Sequence, residues 1–291
     1  MGLLVAIALF IWQRERVFAA GTILAEGNPL AWAIAALLQF LSIAFASFRF
    51  SFLLRSVQKP IPFASIYADL VCTVALNAAL LMGVGDLYRM RQTNVHVGNL
   101  ALTTSLIVLD RIIGFAIVCS VALTAMLWVG SSGFSLHNTV LWIGLGAMGT
   151  AVVLIRRLAQ TKQSSIWLDI KRPFSALFAR PQMGLYALLM SLGVSLFWLA
   201  SIVIVSRGLG IFVGIAPIVF AASAVTVATI LPISIGGIGV REAGYAYLLA
   251  SHGVSTSQAI ALGVAQYALF LPVIVTGVIL AVVRKNRSAT E

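Results

Sequence analysis

Residues 29–54 read PLAWAIAALLQFLSIAFASFRFSFLL, and this almost wholly apolar run decides the fold class. A hydrocarbon core about 30 Å thick is crossed by a helix of about 20 apolar residues. Unpaired backbone groups are too costly in lipid, so such a segment crosses as an α-helix. Three further runs are long enough, at 101–129, 184–205 and 258–283. The sequence therefore predicts an all-α, polytopic transmembrane bundle, with residues 1–291 forming a single integral membrane domain.

The composition excludes a soluble globular protein. Hydrophobic residues make up 61% of the chain and charged residues only 9%, whereas soluble domains carry roughly 25% charged residues. The net charge of +11 can suggest nucleic-acid binding. Here, however, the basic residues lie between the apolar runs, where they orient the protein and contact anionic lipid heads. We therefore expect anionic membrane lipids as partners, no nucleic acid, and, with two cysteines and three scattered histidines, no metal or other cofactor.

The longest polar segment, residues 156–182, sets the predicted orientation. It holds six basic residues against one acid, and the positive-inside rule places such a loop in the cytoplasm. The basic residues at 284–287 predict a cytoplasmic C-terminus in the cell inner membrane by the same rule. Apolar residues recur at helical spacing within 156–182, which predicts either an amphipathic helix on the membrane surface or a solvated connector.

Two shorter apolar stretches are interrupted by glycines, within residues 66–99 and 211–250. Their second limbs are too short for comfortable crossings, so two re-entrant hairpins of half-helices fit better than full spans. Inverted repeats with broken helices that meet near the midplane are a recurrent plan of transporters. We also expect a shortened first helix centred on residues 2–18 and a further span at 139–155.

Charged residues follow the break in the first hairpin. A charge at the centre of a membrane costs about 2.5–3.5 kcal/mol on insertion scales, so it normally faces a cavity or another charge. Asp86 and Arg89 are three residues apart, which on a helix brings them close enough to pair. We expect Arg89 or Arg91 to bind a lipid phosphate while Asp86 holds the guanidinium in place.

A second charged pair, Asp110 and Arg111, lies inside the predicted span 101–129. Neighbours on a helix point about 100° apart, so the two side chains are expected to reach different partners. Pairing of Arg111 with Asp86 or with Glu242 is one arrangement that the sequence allows. Asn77 is a polar residue in an apolar run, and we expect it to hold helices together.

The second hairpin carries a glycine-rich break with Gly236, Gly237 and Gly239, followed by Arg241 and Glu242. Non-helical backbone at membrane depth is tolerated only where protein or water covers it. If a half-helix begins near Gly239, its N–H groups favour an anion there. The glycines, Arg241 and Glu242 are therefore expected to line a path for a lipid headgroup, although Glu242 also suits a plain helix cap.

Three motifs taken together resemble the flippase-like membrane region of lysylphosphatidylglycerol synthases. They are GVGDLYRMRQT at 83–93, LDRIIGF at 109–115 and LPISIGGIGVREAGYAYLL at 231–249. The resemblance covers nearly the whole chain, and the last motif is the most specific. The sequence departs from the family where Met82 and Gly83 replace a usual proline region, and where Asp110 replaces a usual glutamate before arginine. The family includes stand-alone proteins of unknown substrate, some of them associated with hopanoid lipids.

The resemblance implies translocation of lipids between leaflets, and the broken helices with buried charges are compatible with that function. No serine–histidine–acid set, paired catalytic carboxylates or metal-ligand spacing is present, so no catalytic residue is assigned and a non-enzymatic role is favoured. Two alternatives stay open. One is a membrane transferase acting on a lipid-linked phosphate, and the other is an accessory subunit that binds a protein of lipid biosynthesis.

Overall fold

The computed structural model describes residues 14–80, 83–129, 165–179, 181–229, 237 and 239–288. Three predictions concern residues outside these ranges. They are the first part of the 2–18 helix, the span at 139–155, and the role of Gly236.

The described residues form eleven α-helices and no β-strand, which confirms the all-α fold. In chain order the helices are α1 (Arg14–Ala25), α2 (Pro29–Ser56), α3 (Phe63–Ala79), α4 (Val84–Val97), α5 (Leu100–Val129), α6 (Ser165–Ala179), α7 (Pro181–Gly208), α8 (Ile215–Thr229), α9 (Val240–Ala250), α10 (Thr256–Ala268) and α11 (Leu271–Ser288).

Four apolar helical runs are long enough to cross a membrane, and each contains a run predicted from the sequence. They are Pro29–Ser56, Leu100–Val129, Gln182–Gly208 and Thr256–Val283. Large apolar side chains on these runs are exposed, including Leu189 and Leu196 of α7. Such a surface suits contact with lipid rather than water. The chain is therefore a multi-pass membrane protein.

The run predicted as one helix at 258–283 is two helices in the structure. α10 ends at Ala268, and α11 begins at Leu271 with Pro272 as its second residue. Proline has no N–H for the helical hydrogen bond and its ring crowds the preceding turn, which explains the interruption. The start of α10 is fixed by Ser255, whose hydroxyl accepts the N–H of Gln258 at 3.2 Å.

The break between α3 and α4 is shaped by one asparagine and two glycines. Gly83 adopts a left-handed backbone with φ of 101°. The Asn77 Oδ1 atom accepts the N–H groups of Gly83 at 3.0 Å and of Gly85 at 2.9 Å. N–H groups at the start of a helix have no acceptor within the helix, and here Asn77 supplies one. Asn77 of α3 thus holds the first turn of α4, in line with its expected role of joining helices.

The break between α8 and α9 also uses glycines with positive φ, 80° at Gly237 and 85° at Gly239. The Glu242 carboxylate accepts the N–H of Gly239 at 2.6 Å and so caps the start of α9. In both α3–α4 and α8–α9, two short helices separated by a break pack against each other. Their order along the chain matches the predicted hairpins, and their re-entrant depth in a membrane stays a prediction.

The first helix of each hairpin packs against a helix that is distant in the chain. α3 contacts α11, α8 contacts α5, and the long helices α2 and α7 pack together along their length. Two larger buried clusters result. One contains Phe50, Leu106 and Val273, and the other contains Ile218 and Tyr245.

The basic segment at 156–182 contains a helix, α6, that docks on the ends of α2 and α5. Phe174 and Leu177 pack against the buried cluster of Phe50. Ser105 donates to the carbonyl oxygen of Ile170 at 2.6 Å, and Arg172 donates to the carbonyl oxygen of Val57, directly after α2, at 3.2 Å. These contacts show that α6 packs on the bundle, and its position at a membrane surface stays a prediction.

Candidate functional site

Three charged side chains from three helices form a buried cluster. Arg49 of α2 donates through Nε to Asp110 Oδ1 at 2.6 Å, and Arg89 of α4 donates through Nη1 to Asp110 Oδ2 at 2.9 Å. The side chains of Arg89 and Asp110 are each only 3% exposed. One carboxylate of α5 therefore holds two guanidinium groups, and the cluster carries a net charge of +1.

Arg89 has hydrogen-bonding capacity that the protein does not use. Its Nε and Nη2 atoms are buried and have no hydrogen-bond partner among the described residues. Each unsatisfied buried donor costs about 1–3 kcal/mol. The Arg89 guanidinium lies over the ring of Phe50, with Cζ 3.8 Å from the ring centroid, so a cation–π contact fixes its plane.

Arg49 was not among the residues selected from the sequence. Its Nη1 atom also donates to the Ser191 hydroxyl of α7 at 3.0 Å. A Cβ atom at Gly114 would lie 3.2 Å from the same Nη1 atom, so this glycine leaves room for the guanidinium. Arg49 could have been found from the sequence because it is a single arginine within the apolar run 29–54. A charge within a membrane segment indicates a functional or paired residue.

A separate ion pair joins Arg111 to Asp86, at 3.2 Å from Nε and 2.5 Å from Nη2 to Oδ1. Pairing of Arg111 with Asp86 was one of the two arrangements expected for it. The expected pairing of Asp86 with Arg89 is wrong, because Arg89 turns into the core toward Asp110. The Arg111–Asp86 pair is more open, with side-chain exposures of 49% and 27%.

Arg241 lies in the first turn of α9, where the sequence placed a candidate site. Its Nη1 atom is buried with no partner in the described part of the chain. Its guanidinium lies about 6 Å from two rings, with Cζ 6.0 Å from the centroid of Tyr267 and 5.9 Å from that of Phe270. A Cβ atom at Gly237 would lie 2.9 Å from Arg241 Nε, so the glycine allows this approach.

Tyr267 connects the two broken hairpins. Its hydroxyl donates to the carbonyl oxygen of Ala78 at 2.8 Å, close to the end of α3. Its ring faces Arg241 of the other hairpin. The glycine-rich breaks that are about 150 residues apart in the chain are therefore neighbours in the fold, as in proteins whose broken helices meet.

Other candidates lie apart from these groups. Arg91 is exposed on α4, and its role stays a prediction. An apolar pocket of about 850 Å³ lies between α5 and α8, lined by residues such as Ile117, Thr124 and Pro217. No member of the arginine clusters lines it. Within the described ranges, no three His, Cys, Asp or Glu side chains are grouped so that they could hold a metal ion.

Comparison with known proteins identifies a family of membrane regions. Neither a curated protein nor a solved structure matches the chain. The model of one protein family, described as the lysylphosphatidylglycerol synthase TM region, matches residues 1–277. The chain therefore belongs to the family of lysylphosphatidylglycerol synthase transmembrane regions.

Proposed function

We propose that this protein translocates an anionic or amphipathic lipid between the leaflets of a membrane. One observation carries the proposal. Each broken hairpin presents a buried arginine with guanidinium N–H groups that have no partner among the described residues, Arg89 in the first and Arg241 in the second, and Tyr267 joins the two breaks. Guanidinium groups bind phosphate with directed, charge-assisted hydrogen bonds. A lipid headgroup moving between leaflets needs such polar contacts at membrane depth.

In this mechanism the headgroup passes the charged breaks while the acyl chains stay in hydrocarbon. Asp86, Asp110, Arg111 and Glu242 hold the polar groups of the path by ion pairs and capping. A lipid gradient or ions would supply the energy.

The proposed setting is the inner membrane, with anionic lipids as the partners and with the C-terminus in the cytoplasm. The basic residues of 156–182 and 284–287 support this orientation through the positive-inside rule. Docking of α6 against the ends of α2 and α5 places part of this basic surface at one end of the bundle. The same surface is available to a protein of lipid biosynthesis.

The test reconstitutes the protein in liposomes that carry a fluorescent anionic phospholipid in both leaflets, with a quencher added outside. Wild type should expose the label of both leaflets with time, and Arg89→Ala and Arg241→Ala should each slow the exposure about tenfold, as expected for the loss of a hydrogen bond to a charged group. The matched control is Arg55→Ala, an exposed arginine on α2, which should scramble at the wild-type rate.

Passive translocation of this lipid would be contradicted if liposomes with the wild-type protein, like liposomes without protein, expose only the label of the outer leaflet to the quencher. Transfer of a group to a lipid-linked phosphate in detergent, where no leaflets exist, would support the transferase alternative instead.

A further inference from the structure

We propose that the apolar pocket between α5 and α8 binds one acyl chain of a membrane phospholipid, at a site separate from the arginines. The pocket has a volume of about 850 Å³, within the range of about 300–1,000 Å³ that is typical of pockets for small molecules. None of the described residues that line it is Asp, Glu, Lys or Arg. The inference stands without lipid translocation, because it concerns a chain that stays bound and not a headgroup that moves.

The length of the pocket matches one leaflet. Its wall on α5 runs from Ile117 to Val129, which at 1.5 Å per residue is a length of about 18 Å. One leaflet of a hydrocarbon core about 30 Å thick provides about 15 Å. α6 docks beside Ser105, about 18 Å before Ile117 along the same helix. The pocket therefore takes a chain from the leaflet opposite α6.

The pocket opens to the outside of the bundle. Ser120, Thr124 and Trp128 follow one another at intervals of four residues, so they share a face of α5. All three line the pocket and are exposed. α5 is long and apolar enough to span a membrane, so hydrocarbon surrounds this face. Phospholipid chains are therefore what the pocket meets at this depth.

The hydroxyl groups on the α5 wall already have acceptors within the helix. Ser120 donates to the carbonyl oxygen of Ala116 at 2.8 Å, and Thr124 donates to that of Ser120 at 2.9 Å. A hydroxyl has one proton to donate, so neither group has a donor left for a ligand. Their neighbours on the wall include the apolar Val121 and Leu192. The middle of the wall thus suits a methylene chain better than a polar group.

One end of the pocket suits the region where a chain joins its headgroup. Trp128 lies in the last turn of α5 and its side chain is 83% exposed. Tryptophan is enriched where the hydrocarbon meets the headgroups of a membrane. His252, which follows α9, also lines the pocket, and its Nδ1 atom lies 3.1 Å from Ser251 Oγ. The chain is therefore bound with its ester end beside Trp128 and its methyl end toward Ile117.

The pocket should select the length of a chain rather than a headgroup. A lipid chain that enters it leaves one apolar environment for another, so the hydrophobic effect adds little. Binding then depends on van der Waals contacts with a concave wall, which are individually weak and collectively large. A chain that fills the whole length of the wall makes more of these contacts than a short one.

The experiment titrates a photoreactive lipid into the full protein in detergent. The probe is dioleoyl phosphatidylcholine with a diazirine in the middle of one chain, and mass spectrometry of peptides measures the label on residues 215–219 of α8. In wild type this label should saturate as the probe concentration rises. The label on Val278, which is exposed on α11 and does not line the pocket, should rise in proportion to the probe.

Unlabelled lipids then test what the pocket recognises in the wild-type protein. Dioleoyl phosphatidylcholine and dioleoyl phosphatidylglycerol should displace the α8 label at concentrations within about twofold of each other. Dioctanoyl phosphatidylcholine should be about tenfold weaker, because its short chains make fewer contacts. Displacement that depends on the headgroup and not on the chain would overturn the inference. Cholesterol that displaces the label at a lower concentration than dioleoyl phosphatidylcholine would show a site for a rigid ring system instead.

Thr124→Trp fills the pocket from its exposed rim and leaves the α8 peptide unchanged. It should lower the α8 label about tenfold, because the indole takes the volume that the chain needs, and it should leave the α11 label as in wild type. The matched control is Val108→Trp. Val108 is close to threonine in size and is exposed on the same helix, but it does not line the pocket, so this variant should label as wild type does.

An α8 label that never saturates in wild type, or that persists in Thr124→Trp, would overturn the inference. The proposed function fails separately. Scrambling in liposomes without a saturable α8 label would contradict this site alone, whereas a saturable label without scrambling would contradict translocation alone.

Discussion

Asp110 and Asp86 each form ion pairs with arginine, but burial makes the ion pairs of Asp110 contribute more to the stability of the fold than the ion pair of Asp86. Asp110 is buried between Arg49 and Arg89, whereas Asp86 and Arg111 are partly exposed. Removing one partner of a buried ion pair leaves a charge without compensation. An exposed pair is screened by solvent and contributes little.

Asp110→Ala should therefore lower the free energy of unfolding by about 3–5 kcal/mol. Asp86→Ala, the matched control, should lower it by about 0–1 kcal/mol. The measurement is the unfolding equilibrium of each variant in mixed detergent micelles. Equal losses for the two variants would contradict the assignment of Asp110 as the centre of the buried cluster.

The sequence identified Arg89, Asp110 and Arg241 as charges that need partners, because charges in apolar runs are rare and costly. It did not identify the partners. Spacing along one helix favoured Asp86 with Arg89, but the direction in which α4 faces the core brings Arg89 to Asp110 of α5 instead. Partner choice across helices depends on tertiary packing, which spacing within a helix cannot report.

At the scale of elements, the first broken hairpin depends on a close approach of α3 and α4. A Cβ atom at Gly85 would collide with the carbonyl oxygen of Thr73 and with Asn77. Backbone cannot move away as a flexible side chain can. The glycine is required by this contact, whereas at Gly83 the requirement is the left-handed φ of 101°.

Gly85→Ala should lower the free energy of unfolding by about 1–3 kcal/mol or more, since overpacking typically costs that much. Gly21→Ala is the control, since Gly21 is exposed on α1 with nothing within 4 Å of an added Cβ, and it should gain up to about 1 kcal/mol from helix propensity. Tryptophan fluorescence during thermal unfolding in lipid nanodiscs measures both. If Gly85→Ala melts as wild type does, the close approach of the two helices is not required.

The four long apolar runs were predictable because length and hydropathy alone decide which helices cross a membrane. The ends of the helices were harder to predict from the sequence. The interruption before Pro272 divides the last predicted helix, and the Asn77 side chain accepts two N–H groups where α4 begins. Both details follow from local hydrogen bonding that an apolar pattern does not encode.

At the scale of the whole molecule, each broken hairpin packs against a helix that is distant in the chain. α3 packs on α11 and α8 packs on α5, so the breaks of the two hairpins meet, and Tyr267 spans them. The sequence suggested a repeat because a break with glycines is followed by acidic and basic residues in both hairpins, and it suggested the family from three motifs. The exchange of partners between halves involves contacts that are distant in sequence, which is why it emerged only from the structure.

In the proposed mechanism, one lipid path runs past both Arg89 and Arg241. The most direct test compares initial scrambling rates of Arg89→Ala, Arg241→Ala and the double variant in liposomes. On a single path each variant slows scrambling about tenfold, and the double variant stays within about twofold of the slower one because the two sites are not independent. Single variants that keep most of the wild-type rate, with the double variant inactive, would show two separate paths and contradict the account.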